Sequence, residues 1–435
     1  MGNAVSRSDG INDAERYLQT LCERSFLRLW SYPGVFRDQS NGGKSKGGKE
    51  VCDLLVVFEN HILIFSDKNI NFPNTGDLDL DWSRWVRRAV LESGEQLFGA
   101  ERWIKSHHDR LFIDRECKQP FPIDLPDMSS AKFHRIIVAH GAYDRCKKVM
   151  GGSGSLMIFS SIIGKDHMLK RSNGGIPFAI GQVDPVRGFV HILDDTSLRI
   201  LMTTLDTIYD FTSYLEKKEH LFEKIVSVGA AGEEELLAYY LGNLNKDREH
   251  DFIVDESLNG IYLDEGFWED FSKSMERQSQ IEANQISYSW DALIEEFSTH
   301  ILNDTQYIKD PLGPRNQEKI MRILARESRT RRRMLAKALL GLLEKTPHSY
   351  KGVRVIAPSK LGDPYYVFLI VPHLQGKPQK EYREVRKYLL ESYCMVVKHK
   401  FPGAQDIVGI ATEPGMNSYR SEDAIYMDVR IWTPE

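Results

Sequence analysis

Asp53 and Lys68 are the charges that break the most apolar stretch of this chain. Asp53 sits inside Val51-Cys52-Asp53-Leu54-Leu55-Val56-Val57-Phe58, a run with almost no other polar position. An ionised carboxylate in such a setting needs a partner or a metal. A second apolar run, 61 to 66, leads to Lys68, and Glu59-Asn60 between the runs reads as a two-residue hairpin turn. With that turn Phe58 faces His61, Leu55 faces Ile64 and Asp53 faces Ser66, while Lys68 lies on the Asp53 face within diagonal reach. A carboxylate and a lysine at the open end of a sheet are the minimum of a metal-dependent phosphodiesterase. The carboxylate oxygen suits a hard cation such as Mg²⁺ or Mn²⁺, and the lysine orients or deprotonates the attacking water and stabilises phosphoryl charge. A cross-strand ion pair without function is the alternative.

The elements that must hold these residues follow from periodicity. Residues 12 to 30 have helical spacing, with Asn12 and Asp13 as N-cap candidates and Pro33-Gly34 as the terminator. The two strands come next, then an acidic loop, then a long helix from Ser83 to His108. Further strands are expected at FHRIIVAHGA, SLMIFSSI, PFAIGQV and GFVHIL, and one helix from about Thr196 to Lys218.

Helix with an acid, strand with Asp, hairpin, strand ending in lysine, then a helix containing glutamine: this order resembles the PD-(D/E)XK nuclease superfamily, the restriction-endonuclease-like fold. The resemblance covers roughly residues 12 to 106. It implies Asp53 as the first acid, Lys68 as the lysine, Glu23 as the acid of the first helix and Gln96 as the glutamine of the next. The family's second acid, two residues before the lysine, falls on Ser66, so the motif reads Ser-Asp-Lys. Asp67 replaces it only if a bulge or a three-residue turn shifts the pairing, and Glu50 is the other candidate, reaching in from the loop. The implied catalytic set is Asp53, Lys68, Ser66 and Gln96, and the implied metal ligands are Asp53 with Glu23, Asp67 or Glu50. Mg²⁺ or Mn²⁺ is the implied cofactor and DNA the implied substrate. A place in restriction or anti-phage defence is an expectation by fold analogy alone. The competing expectation is an inactive module that binds nucleic acid or protein.

Other features carry less. Gly43 to Glu50 fits G-x-x-x-x-G-K and then fails, because Glu50 stands where a Ser or Thr must bind magnesium and the loop enters a strand instead of a helix. MGNAVS has the myristoylation form but reads as an ordinary polar tail. Arg84, Arg87 and Arg88 on the long helix, with Lys49 in the Gly/Lys/Ser loop before the first strand, are candidates to grip a phosphate backbone. The denser run Arg326, Arg329, Arg331, Arg332 and Arg333 favours a polyanion slightly over an internal acidic surface.

A formal charge of −5 predicts no bulk attraction to nucleic acid, so a polyanion site must be local. Five scattered cysteines without a CxxC pair indicate neither a disulfide framework nor a zinc ribbon, and a cytoplasmic setting without membrane contact is expected. The length predicts two or three domains, and the order of helices and strands predicts mixed α/β (α+β) architecture in three parts: a domain over 1–225 that the resemblance makes nuclease-like, a helical segment over 226–310 and a C-terminal α/β domain over 311–435. A partner protein supplying recognition or ATPase activity and a homo-oligomer are both compatible with this plan.

Overall fold

The computed structural model describes all residues except 1–8, 11, 39–46, 256, 304, 306–313, 361, 374–375, 416–420 and 432–435. The MGNAVS tail and most of the Gly/Lys loop therefore lie outside the described residues. The protein is a mixed α/β chain with three sheets among the described residues. It divides into two compact units, Met1–Gln280 with Leu302–Asp304, and Ile281–Ile301 with Thr305–Glu435. The 226–310 stretch, expected as a helical segment of its own, is shared between them.

In the first unit Asn12 caps α1 (Asp13–Phe26) by accepting the Glu15 amide. The chain reverses at Leu27, with φ at 65°, and enters β1 (Ser31–Arg37), β2 (Lys49–Phe58) and β3 (His61–Asn69). Strand β1 departs from expectation, because Pro33-Gly34 was read as a terminator. Pro33 sits opposite Leu54, and the neighbouring strand on its other side reaches only Phe36 and Arg37. The missing N–H therefore faces no partner there, which is where a strand tolerates proline.

Next come α2 (Leu78–Val86) and α3 (Glu92–Ser106), joined through a π turn at Arg87–Leu91. Strand β4 (Leu111–Phe112) edges the sheet, and β5 (Lys132–His140) lies parallel to β3. After α4 (Tyr143–Met150), β6 (Met157–Ile163) and β7 (Ala179–Gln182), β8 (Val190–Leu193) completes a six-stranded sheet in the order β4-β1-β2-β3-β5-β8. The expected single helix from Thr196 is two, α5 (Asp195–Thr204) and α6 (Ile208–Lys224), because Thr207 caps the second by accepting the Asp210 amide. Then follow β9 (Ser227–Ala230), α7 (Glu233–Gly242), β10 (Gly260–Leu263), α8 (Phe267–Lys273) and α9 (Met275–Asn284), with a smaller sheet ordered β10-β9-β6-β7.

The hairpin holds the expected register: Phe58 pairs with His61, Leu55 with Ile64 and Leu54 with Phe65. Glu59 pays the local cost of the tight turn with φ at 52°. On both sides of this hairpin the core is apolar, with Leu55, Val57, Ile62 and Ile64 fully buried on one face and Val56, Leu63 and Phe65 on the other.

The second unit is α10 (Tyr288–Leu302), α11 (Pro314–Ala325), α12 (Arg329–Lys345), β11 (Gly352–Ile356), β12 (Tyr365–Ile370), α13 (Gln379–Lys400), β13 (Asp406–Thr412) and β14 (Glu422–Asp428). Its sheet runs β11-β12-β13-β14. Three arginines of the run are engaged inside this unit. Arg329 and Arg332 are buried against Asp291 at 2.6 and 2.7 Å, and Arg331 donates to the Ala357 carbonyl at 2.8 Å. Asp423 is likewise buried and paired with Arg383 and Arg386.

Candidate active site

Asp53 projects from β2 into a cleft of about 750 Å³. The sheet ends supply its floor through Glu50, Asp53, Ser66 and Lys68, and α3 supplies a wall that includes Gln96 and Arg102. Asp53 lies next in line after the Leu54–Phe65 pair, beside Ser66, and its Oδ2 accepts the Asp67 amide at 2.5 Å. Lys68 Nζ is 3.6 Å from the same oxygen. The diagonal contact expected from the hairpin is therefore made.

Glu50 reaches this face through a backbone irregularity. Val35 pairs with Cys52 but the next residue, Phe36, pairs with Glu50, so Val51 is an extra residue in β2. Such a bulge resets the alternation, and it turns Glu50 towards the Asp53 side. Nothing in the composition of Lys49-Glu50-Val51-Cys52 signals it. Although Glu50 keeps contact with solvent, the cleft walls and the Asp53 charge push its carboxyl up to about 7. Burial also raises Asp53 above the usual carboxylate range, and Lys68 and the Asp67 amide offset that only in part.

Asp67 is not part of the cleft. Its side chain takes the opposite face of β3, where His140 Nε2 pairs with it at 3.0 Å, and His140 Nδ1 meets Asp195 at 2.5 Å. Burial opposes a charge on His140, but the two carboxylates outweigh it and raise the imidazole to about 10. Asp67 thus acts on the site through its backbone amide. The shift in pairing that would have made it the second acid is absent, because the turn has two residues.

Glu23 also lies away from the cleft lining: its carboxylate accepts from Gln19 at 2.9 Å and pairs with Arg28 at 3.2 Å. The α1 acid whose charge is felt at the site is Glu15, which raises both Glu50 and Asp53. It lies two turns before Glu23, in the first turn of the helix, where an acid is usual for other reasons. Of the expected backbone-gripping cations, Lys49 lines the cleft, whereas Arg84, Arg87 and Arg88 are exposed along α2 and the π turn before the lining segment of α3 begins. The other cations on the cleft walls are Arg37 and Arg102. Arg37 stacks over Trp103 at 4.3 Å, with His107 parallel to the indole at 4.1 Å.

The donor set fits a hard divalent cation. Asp53 and the more exposed Glu50 share the cleft with Lys68, and the buried Ser66 hydroxyl there has no hydrogen-bond partner among the described residues. An all-oxygen set with room for water is the kind Mg²⁺ takes.

Comparison with protein-family models, with curated proteins and with solved structures gives no match for this chain.

Proposed function

We propose that the first unit is a metal-dependent phosphodiesterase acting on DNA, with its centre at Asp53, Glu50 and Lys68. The observation that carries this reading is the meeting of Asp53, Glu50, Lys68 and the unpartnered Ser66 hydroxyl in one cleft with Arg37, Lys49 and Arg102 on its walls. The element order α1, β1, β2, β3, α2–α3, β5 also supports a nuclease of the PD-(D/E)XK kind, with Glu50 in place of the second acid.

Asp53 and Glu50 would hold Mg²⁺, which supplies Lewis-acid polarisation of the scissile phosphate. The chain's own groups divide the remaining work. The Asp67 amide and the Lys68 ammonium fix the Asp53 carboxylate, so that its second oxygen is presented to the cleft. Lys68 is also the group that orients the attacking water and stabilises negative charge growing on the phosphoryl oxygens. Ser66 Oγ offers a hydrogen bond to water at the same floor. Glu50 must lose its proton before it ligates, so metal affinity rises as pH passes about 7 and levels off above it. Gln96 stands at the α3 wall within the cleft, in position to touch the substrate strand.

The test is incubation of the full chain with supercoiled and linear DNA plus Mg²⁺ or Mn²⁺, beside Asp53→Ala and Lys68→Ala. Nicking that disappears in both variants supports the assignment. Nicking that survives both removes the site, and retention of DNA without cutting under every condition favours a binding module whose acid at position 66 has been lost.

A further inference from the structure

The far end of the same sheet carries a histidine cluster that the proposed phosphodiester chemistry does not use. His61 opens β3, His134 lies near the start of β5 and His191 lies on β8. Leu63 pairs with His134, and Ile136 pairs with His191. Each histidine is therefore two residues out of step with the next, and because side chains alternate along a strand all three share one face. Helix α6 covers that face with Glu216 and Glu219, three residues apart and so neighbours on its surface.

The contacts converge on Glu219. Its Oε1 is 3.2 Å from His134 Nδ1 and 2.9 Å from His191 Nε2. On the other side of the His134 ring, Nε2 is 3.0 Å from His61 Nδ1. The ligand atoms of His134, His191 and Glu219 all lie within 4.8 Å of one another. In a tetrahedral zinc site with bonds of about 2.1 Å, ligand atoms stand roughly 3.4 Å apart, so two edges of such a tetrahedron are present to within about half an ångström.

We propose that His134, His191 and Glu219 form a binding site for a transition-metal ion of the Zn²⁺ class, separate from the cleft and tying α6 to β5 and β8. Two imidazoles and one carboxylate suit zinc and suit Mg²⁺ poorly, which prefers oxygen alone. A fourth position remains for solvent. His134 and His191 are almost fully buried, whereas the Glu219 side chain is 28% exposed, so an ion can enter from the helix side. His61 supports the ligand: with His134 bound through Nδ1, its Nε2–H donates to His61 Nδ1, the outer hydrogen bond that ligating histidines commonly make.

Glu216 offers a second set with His61 and His134, but it already pairs with Lys132 at 2.5 Å. His61 and Lys68 stand seven residues apart on β3, about 23 Å at strand rise. The two metal sites can thus be tested independently.

The experiment uses tag-free full-length protein, stripped with chelator and then dialysed against Zn²⁺, with bound metal quantified and Co²⁺ absorption recorded as a probe of coordination. Close to one equivalent of Zn²⁺ is expected to survive in Asp53→Ala and to be lost in Glu219→Gln and in His191→Asn. His61→Ala, which removes only the supporting contact, should weaken binding about tenfold. Glu219→Gln changes a partly exposed helix residue and keeps the test decisive should His191→Asn fold poorly. Absence of stoichiometric Zn²⁺ in the wild type, or equal binding in Glu219→Gln, overturns the proposal.

Discussion

The two faces of β3 near its end hold the same kinds of group and do different things with them. On one face, Asp53 pairs with Lys68, a serine hydroxyl is unpartnered, and the Asp53 and Glu50 carboxyls are both pushed above their usual range. On the other, Asp67 and Asp195 flank a histidine held charged between them. The second arrangement is complete as it stands. The first leaves two carboxyls raised above their usual range beside one close ion pair, and the difference lies in how the charges are partnered, not in residue type.

Substitution on the cleft side has the largest expected effect. Lys68→Ala should lower DNA nicking by at least about 100-fold, the scale set by loss of a single charge-stabilising donor, while the thermal midpoint stays near that of the wild type. A parallel collapse of stability would show the ion pair to be structural after all.

On the opposite face the ranking reverses. His140→Ala strands the buried Asp67 carboxylate and is expected to cost about 3 to 5 kcal/mol in denaturant unfolding. His140 gains its proton affinity on folding, so its contribution is full below its ordinary 6.5 and fades as pH rises through about 10. Asp67→Asn should flatten that alkaline loss.

Glu50→Gln gives a smaller, signed effect. A carboxyl raised from 4.5 to about 7 loses relative stability as pH climbs through that window. In metal-free buffer the glutamine variant should therefore melt higher than wild type above pH 7 and match it below 4.5, whereas added Mg²⁺ should stabilise only the wild type. The least effect is expected from Arg88→Ala, an exposed residue away from the cleft: nicking and stability should stay near wild type, the latter within about 0.5 kcal/mol, with Arg102→Ala as the contrasting loss of DNA affinity in salt titrations.

How far these residues could be read in advance differed from one to the next. Asp53 and Lys68 were visible because period-two alternation and a two-residue turn leave one pairing for the hairpin. Glu50 was a candidate by proximity, but its route to the site is a bulge that no local residue announces. Glu15 was hidden by its helix-start position, and Glu23 was attractive only through resemblance. The internal pairing of Arg329 and Arg332 had no local signal, because their counter-charge, Asp291, lies some forty residues away. The histidines of β3, β5 and β8 are 73 and 57 residues apart and have no spacing to notice.

Local sequence was enough for the hairpin, its register, most of the remaining strands and helices, and the mixed α/β class, because turn chemistry and hydrophobic periodicity act between near neighbours. Charge compensation acts through space. Which carboxylates share a cleft, which are neutralised by His140 or by arginine, and which histidines meet on Glu219 depended on how strands from distant parts of the chain were laid side by side.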